Sequence, residues 1–218
     1  MKVLIACEES QTVTKEFRNL GHEAFSCDIL PCSGGHPEWH MQCDIFDVIN
    51  QGWDLMIAHP PCTFIAGSSV QWLSNPLDKD LPFDERRPHP KYPNRRNDMN
   101  DSIEFVKALY NAPIDKIAIE NPVGLLGTKW RKADQIIQPY HFGDEATKTT
   151  CLWLKNLPLL LHTNVVGKGE RTVFASGKSH PAWYADALAK AKTKEERQKL
   201  RSKTFQGIAK AMAEQWQQ

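Results

Sequence analysis

The sequence predicts an α/β domain with a mostly parallel sheet covered by helices on both faces. Three observations lead there. Short apolar runs alternate along the chain with longer segments whose apolar residues recur at helical spacing. The runs ending at Ala6, Ala58 and Ile119 are apolar at consecutive positions, the pattern of strands buried on both sides. Residues able to do chemistry follow those runs, where open parallel sheets bind ligands.

In chain order, Lys2 to Ala6 is the first strand, and Ser10 is the expected cap of a helix carrying Val13, Phe17 and Leu20 on one face. Gly21 ends that helix, and His22 to Cys27 is a second strand closing on Asp28. A third strand spans Asp54 to Ala58. Ile103, Val106, Leu109 and Tyr110 mark a helix within 97–110, which leads through Pro113 into a strand at Lys116 to Ile119. A late strand is expected at Thr150 to Leu154, and a final helix carries Phe205, Ile208, Ala209, Met212 and Trp216. Residues 67–96, Pro-rich and basic, and 162–181, rich in Gly and Lys, fit neither period.

Composition narrows the function classes. The 218 residues carry 27 Lys+Arg against 26 Asp+Glu, so a polycationic nucleic-acid coat is excluded, although local basic patches are not. No apolar run approaches the roughly 20 residues of a membrane span. Acids at Glu8 and Glu9 interrupt any signal-peptide core, so a cytoplasmic protein is expected. The six cysteines are then expected as reduced thiols: core residues, ligands or nucleophiles.

Residues with chemical potential sit after each strand: Cys7-Glu8-Glu9-Ser10-Gln11, Asp28-Ile29, His59-Pro60-Pro61-Cys62 and Glu120-Asn121-Pro122, with Cys43-Asp44-Ile45 between the second and third strands. Pro-Pro-Cys after one strand and Glu-Asn after the next resemble the DNA cytosine-5 methyltransferases, in particular their small phage-type members, and the resemblance covers most of the chain. It implies a Rossmann-like class I methyltransferase fold and S-adenosylmethionine as cofactor. Cys62 would be the nucleophile, and Glu120 with Asn121 would complete the catalytic group. Cys7, Glu8, Glu9, Ser10, Asp28, Ile29, Asp44, Ile45 and Pro60 would line the cofactor site, with Asp28 on the ribose and Asp44-Ile45 framing the adenine.

The chemistry explains the residue types. Carbon 5 of cytosine is a poor nucleophile until a thiolate adds to carbon 6, and a carboxylic acid at N3 stabilises the electron density that this addition creates. Glu120 suits the second role if burial raises its pKa. Two departures from the family pattern stand out. The loop after the first strand has no glycine where the family has several, and the segment 148–154 that matches the family's later strand lacks its arginines.

The expected partner is DNA, with the base flipped from a duplex or taken from a single strand. Arg86, Arg87, Lys91, Arg95 and Arg96 lie in the 67–96 loop after Cys62 and suit phosphate contact. The domain organisation expected is a single catalytic domain over 1–218, with 162–197 as a minimal substitute for a target-recognition domain that is otherwise reduced or absent. Recognition is therefore short or relaxed, or supplied by a partner or second subunit in a homo-oligomer. Two alternatives remain at this stage. One keeps thiol addition but acts on free pyrimidine nucleotides or transfers a different group. The other is a zinc-containing nucleic-acid-binding protein using Cys27, Cys32, His36, His40 and Cys43.

Overall fold

The computed structural model of the chain describes residues 1–217. β1 (Lys2–Ala6), α1 (Thr12–Asn19) and β2 (Glu23–Asp28) form the first βαβ unit, followed by β3 (His40–Gln42) and β4 (Leu55–Ala58). α2 (Arg95–Tyr110) leads into β5 (Lys116–Pro122), then α3 (Leu126–Lys129), β6 (Gln135–Ile137) and β7 (Thr150–Lys155). The chain continues through β8 (Arg171–Val173), β9 (Ser179–Pro181), α4 (Ala182–Lys190), α5 (Lys194–Ser202) and α6 (Gln206–Gln215).

The central sheet has the order β3-β2-β1-β4-β5-β7-β6. Pairing from β3 to β5 is parallel, whereas β7 runs antiparallel to both β5 and β6. This is the expected Rossmann-like arrangement with an antiparallel edge. The order reverses between β1 and β4, which creates the crevice where doubly wound sheets take ligands.

Strand periodicity divides the core into two layers. Leu4, Ala6, Met56, Ala58, Ile117 and Ile119 face α2 through Met99, Ile103 and Val106. Val3, Ile5, Leu55, Ile57 and Ala118 face the opposite layer, where Val13 and Phe17 of α1 meet Ile208 and Met212 of α6. Because Phe17 is fully buried, truncating it to Ala would cost about 3–5 kcal/mol. No helix among the described residues is long and apolar enough to cross a membrane.

Several expectations are corrected. Ser10 does not cap α1; the cap position is Gln11, whose side chain makes no capping bond, and the carboxylate of Glu8 instead accepts from the Val13 and Thr14 amides. A carboxylate reaching back over the first turn satisfies two orphan donors at once, which one hydroxyl cannot. Residues 67–96 are not structureless: they form short 3-10 turns, and α2 begins within the segment at Arg95. Glu120 and Asn121 lie within β5, paired with Leu152 and Cys151 of β7, rather than after the strand. β3, β6, β8 and β9 have three residues each, too few to show a period in the sequence.

Candidate active site at the carboxyl ends of the central strands

The site has two halves, built from the ends of β1 and β2 on one side and of β4 and β5 on the other. In the first half, the backbone enters the left-handed region at Cys7 (φ 58) and Gln11 (φ 58), bracketing the tight loop without glycine. Non-glycine residues pay for that conformation, so surrounding bonds must hold it. Gln11 is fully buried, and its amide donates to the His36 carbonyl while its oxygen accepts from the His36 amide. Gly34 lies against Gln11 and the Ser10 carbonyl so closely that any Cβ there would collide.

Glu8 is committed to the start of α1, where it also accepts from the Thr14 hydroxyl at 2.7 Å. Glu9 accepts from the Ser33 hydroxyl and faces Lys199 of α5 at 3.5 Å. The Ser10 and Thr12 hydroxyls share a hydrogen bond. Asp28 accepts from the Leu30 amide and Asp44 from the Phe46 amide. Burial, aided by the charge of Glu9, lifts the Asp28 carboxyl above its ordinary value despite the Leu30 bond. Burial and then the charges of Asp28 and Asp44 push the Cys7 thiol up to about 12, which places all three groups together. Ile29 is 73% exposed and Phe46 45% exposed, whereas Ile45 is core at 5%. Two uncovered apolar side chains beside two carboxylates suit an adenosine: apolar faces for the base and acceptors for ribose hydroxyls.

In the second half, the turn after β4 is fixed by Asn121, which is buried and donates its amide to the Pro60 carbonyl at 2.8 Å. The Cys62 carbonyl accepts from the Ile65 and Ala66 amides, and Arg95 donates to the Thr63 carbonyl. Residues 65–67 are zipped to 123–125 by Gly67 N–H to the Val123 carbonyl and Leu125 N–H to the Ile65 carbonyl. Gly124 permits this contact, because a Cβ there would overlap the Ile65 carbonyl. The segments that carry Cys62 and Glu120 are thus tied to each other by backbone hydrogen bonds.

Glu120 is buried, and its Oε2 accepts from His59 Nδ1 at 2.9 Å. The expected rise of its pKa is overturned. Burial pushes the carboxyl up, but the His59 hydrogen bond, then Lys148 and the His59 charge, outweigh it and hold Glu120 below its ordinary value. Burial and Glu120 raise the Cys62 thiol, while Lys148 and Arg201 pull against that rise. Lys148 is held by the Ser202 and Lys203 carbonyls, at 3.2 and 3.0 Å. Gln198 of α5 reaches the Thr63 hydroxyl at 3.3 Å. The crevice beside Glu120 is lined by Lys148, Thr150, Thr204, Phe205 and Ile208, and it is too narrow to admit a water molecule.

Sequence reasoning placed His59 among the residues after the third strand without giving it a role, and it missed Phe46, Arg201 and Gly124 as parts of this site. The only signal for His59 was its place directly before Pro-Pro-Cys. Arg201 lies far along the chain, and Gly124 acts through its lack of a side chain.

The basic loop is organised by its own arginines. Arg86 donates to the Leu81 and Lys79 carbonyls, and Arg87 makes a fork to Asp78. Arg96 donates to the Leu73, Phe83 and Arg86 carbonyls and the Ser74 hydroxyl. Arg95 stacks over Phe64. Lys91 is exposed, its ammonium lying over Tyr92. The five residues of the zinc alternative disperse: Cys27 pairs with Cys43, Cys32 donates to Gln11, His36 stacks on Trp39, and His40 contacts Ser26. Among the described residues, no group of three His, Cys, Asp or Glu side chains is placed to hold a metal ion.

No protein-family model and no curated protein matches the chain. Among solved structures it is similar to a prophage-encoded E. coli protein provisionally described as a DNA modification methyltransferase, at 12% identity and a TM-score of 0.47, covering 76% of this chain and 51% of that one. The chain spans about half the length of that protein.

Proposed function

We propose that the protein transfers a methyl group from S-adenosylmethionine to carbon 5 of cytosine in DNA, with Cys62 as the nucleophile. The observation that carries this reading is the convergence of a thiol and a buried carboxylate from adjacent strand ends, with Lys148 and Arg201 opposing the rise of the thiol pKa. A merely structural buried cysteine has no need of cations, whereas a thiol that must ionise does.

When bound, S-adenosylmethionine supplies an electrophilic methyl group on a sulfonium sulfur. Asp28 and Asp44, with exposed Ile29 and Phe46, are the residues that would hold its adenosine, and the backbone turns at Cys7 and Gln11 shape the loop beside it. Asn121 fixes the Pro-Pro turn and so positions Cys62.

In the addition step the Cys62 S–H bond breaks and an S–C6 bond forms, while N3 of the base gains a proton, so the adduct carries no new net charge. Glu120 serves at N3. The His59 hydrogen bond and then Lys148 favour its ionised form in the free protein, so the carboxyl takes up the proton it shares with N3 as the base binds. After methyl transfer a base takes the carbon 5 proton, the thiolate leaves, and N3 gives its proton back to the Glu120 carboxylate, which restores a neutral 5-methylcytosine ring.

The target base must leave the helix or arrive single-stranded to reach Cys62. Because Arg86, Arg87, Arg95 and Arg96 bind within the loop, we assign them to shaping it and leave phosphate contact there to Lys91 and the outer face of Arg87, 66% exposed. Exposed Lys168, Arg171 and Lys178 supply further cations in the region that stands in for a reader domain.

Mass spectrometry of nucleosides from DNA incubated with the protein and S-adenosylmethionine, beside free deoxycytidylate, tests the reading. It expects 5-methylcytosine in DNA. An unmodified nucleoside pool, or a product found only in the free nucleotide, would overturn it.

A further inference from the structure

We propose that Cys27 and Cys43 are a dithiol that a small-molecule disulfide oxidises to a bridge, and that the bridge draws Asp44 out of place beside Asp28 and weakens S-adenosylmethionine binding. The consequence for binding rests on the cofactor role given above to the two carboxylates; the bridge itself does not.

Both cysteines are free thiols, and each directly precedes one of those carboxylates. Their sulfurs stand 3.8 Å apart, and Cys27 Sγ also lies 3.6 Å from the Cys43 carbonyl, to which it donates. β3 runs parallel to β2 with Met41 level with Cys27. The Cys43 amide then turns back to the Met41 carbonyl at 3.1 Å, which keeps a thiol two residues further on within reach of Cys27. Cys32 donates instead to Gln11, and Cys62 and Cys151 belong to the β4 to β7 side of the sheet.

The fold holds the two ends of the pair unequally. Cys27 is fully buried in β2, which is paired with β1 on one side and β3 on the other. Cys43 is half-buried and lies just beyond the three-residue β3 at the edge of the sheet. A disulfide holds its sulfurs at roughly 2.05 Å, so closing the gap moves Cys43 toward β2 rather than the reverse. Asp44 is the next residue, and it opens the 3-10 turn at 45–47 by accepting from the Phe46 amide. It and the exposed Phe46 ring therefore move with Cys43, and both belong to the group assigned above to the adenosine.

The oxidant is a disulfide of the glutathione class, and the reaction is two successive exchanges. The more accessible Cys43 reacts first: its thiolate attacks the external disulfide, a mixed disulfide forms and one external thiol leaves. The Cys27 thiolate then attacks Cys43 Sγ, the bridge forms and the second external thiol leaves. The protein gives up two electrons and two protons, and the external disulfide takes them up as two thiols. Burial and the neighbouring Cys43 raise the Cys27 thiol, which makes the second exchange the slow one. Bridge and cofactor then compete for the position of Asp44, so each opposes the other by the same factor.

The test equilibrates the reduced full-length chain in mixtures of glutathione and glutathione disulfide, followed by alkylation and non-reducing digestion. Peptide mass spectrometry is expected to find Cys27 linked to Cys43. Calorimetric titration should give the bridged chain a Kd for S-adenosylmethionine about tenfold or more above that of the reduced chain, restored by dithiothreitol. With S-adenosylmethionine saturating both forms, half-oxidation should need a disulfide share larger by that same factor. Cys43→Ser, with Cys43→Ala as a second variant, should form no such peptide and keep its affinity through the same oxidant. Absence of the linked peptide in every mixture, or cysteines linked in another pairing, overturns the dithiol. A bridge that leaves the Kd unchanged overturns its effect on the cofactor half. A reduced chain that binds no S-adenosylmethionine overturns the cofactor reading and the effect built on it, while the linked peptide still reads the bridge.

Discussion

Cys7 and Cys62 each follow a buried central strand, on opposite sides of the crevice between β1 and β4, and burial raises both thiols. Their neighbours differ in sign. Cys7 faces Asp28 and Asp44, which push it further up, to about 12. Cys62 faces Glu120 but also Lys148 and Arg201, which oppose the rise without cancelling it. Burial alone therefore does not distinguish the two thiols; the charges around them do, and they favour Cys62 as the proposed nucleophile. The same contrast divides the site into an acidic half suited to a cofactor bearing positive charge and a mixed half suited to an ionising thiol.

The largest effect should come from exchanging the two cysteines' fates. Cys62→Ala is expected to lower turnover by at least about 10⁴-fold, as loss of a nucleophile does elsewhere. Cys7→Gly, which accepts φ 58 without strain, should leave turnover within about fivefold and act mainly on the KM for S-adenosylmethionine. Steady-state kinetics on both variants checks the pair. Next in size, Glu120→Gln is expected to lose about 10²- to 10⁴-fold in kcat, the range for a group that manages a proton in the transition state.

A smaller effect should follow from Lys148→Met. The cation lowers both the Cys62 thiol and the Glu120 carboxyl, so its removal raises both. The alkaline rise of methyl transfer, and of Cys62 alkylation by iodoacetamide, should move to higher pH. Near neutrality the alkylation rate should fall about tenfold for each unit of upward shift, because only the thiolate reacts. Alkylation of Cys7 should not change.

The smallest chemical effect is expected from Asp78→Asn in the basic loop. Hydrogen bonds from Arg87 hold the Asp78 carboxyl down to about 2 in the folded chain, against roughly 3.9 for a free aspartate. Its contribution to loop order is complete above about pH 4 and disappears as pH falls toward 2. The variant should lack it at every pH. Limited proteolysis between residues 67 and 94 should therefore be faster in Asp78→Asn at pH 7, with turnover falling only severalfold.

The parts of this account that were legible in the sequence are those governed by local pattern. Consecutive apolar residues at Leu4, Ile5 and Ile57 gave away strands buried on both faces, and Pro-Pro-Cys and Glu-Asn marked the two segments that carry the proposed nucleophile and carboxylate, although Glu-Asn lies within β5. What depends on distant partners was hidden. The charge on Glu120 is set by His59, 61 residues earlier, and by Lys148. The arginines of the loop looked free because a guanidinium bound to backbone carbonyls, as Arg96 is, leaves no motif. The missing glycines were misleading for the same reason: a buried Gln11 network holds the backbone where glycine would otherwise be needed.

The central claim is that Cys62, and not Cys7, adds to carbon 6 of a cytosine in DNA. An oligonucleotide carrying 5-fluorocytosine tests it directly, because fluorine at carbon 5 blocks the elimination that would release the thiol. After incubation with S-adenosylmethionine and proteolysis, peptide mass spectrometry should find the methylated fluoropyrimidine attached to Cys62. An adduct on Cys7, or no adduct on a protein that nonetheless methylates cytosine, would contradict the account.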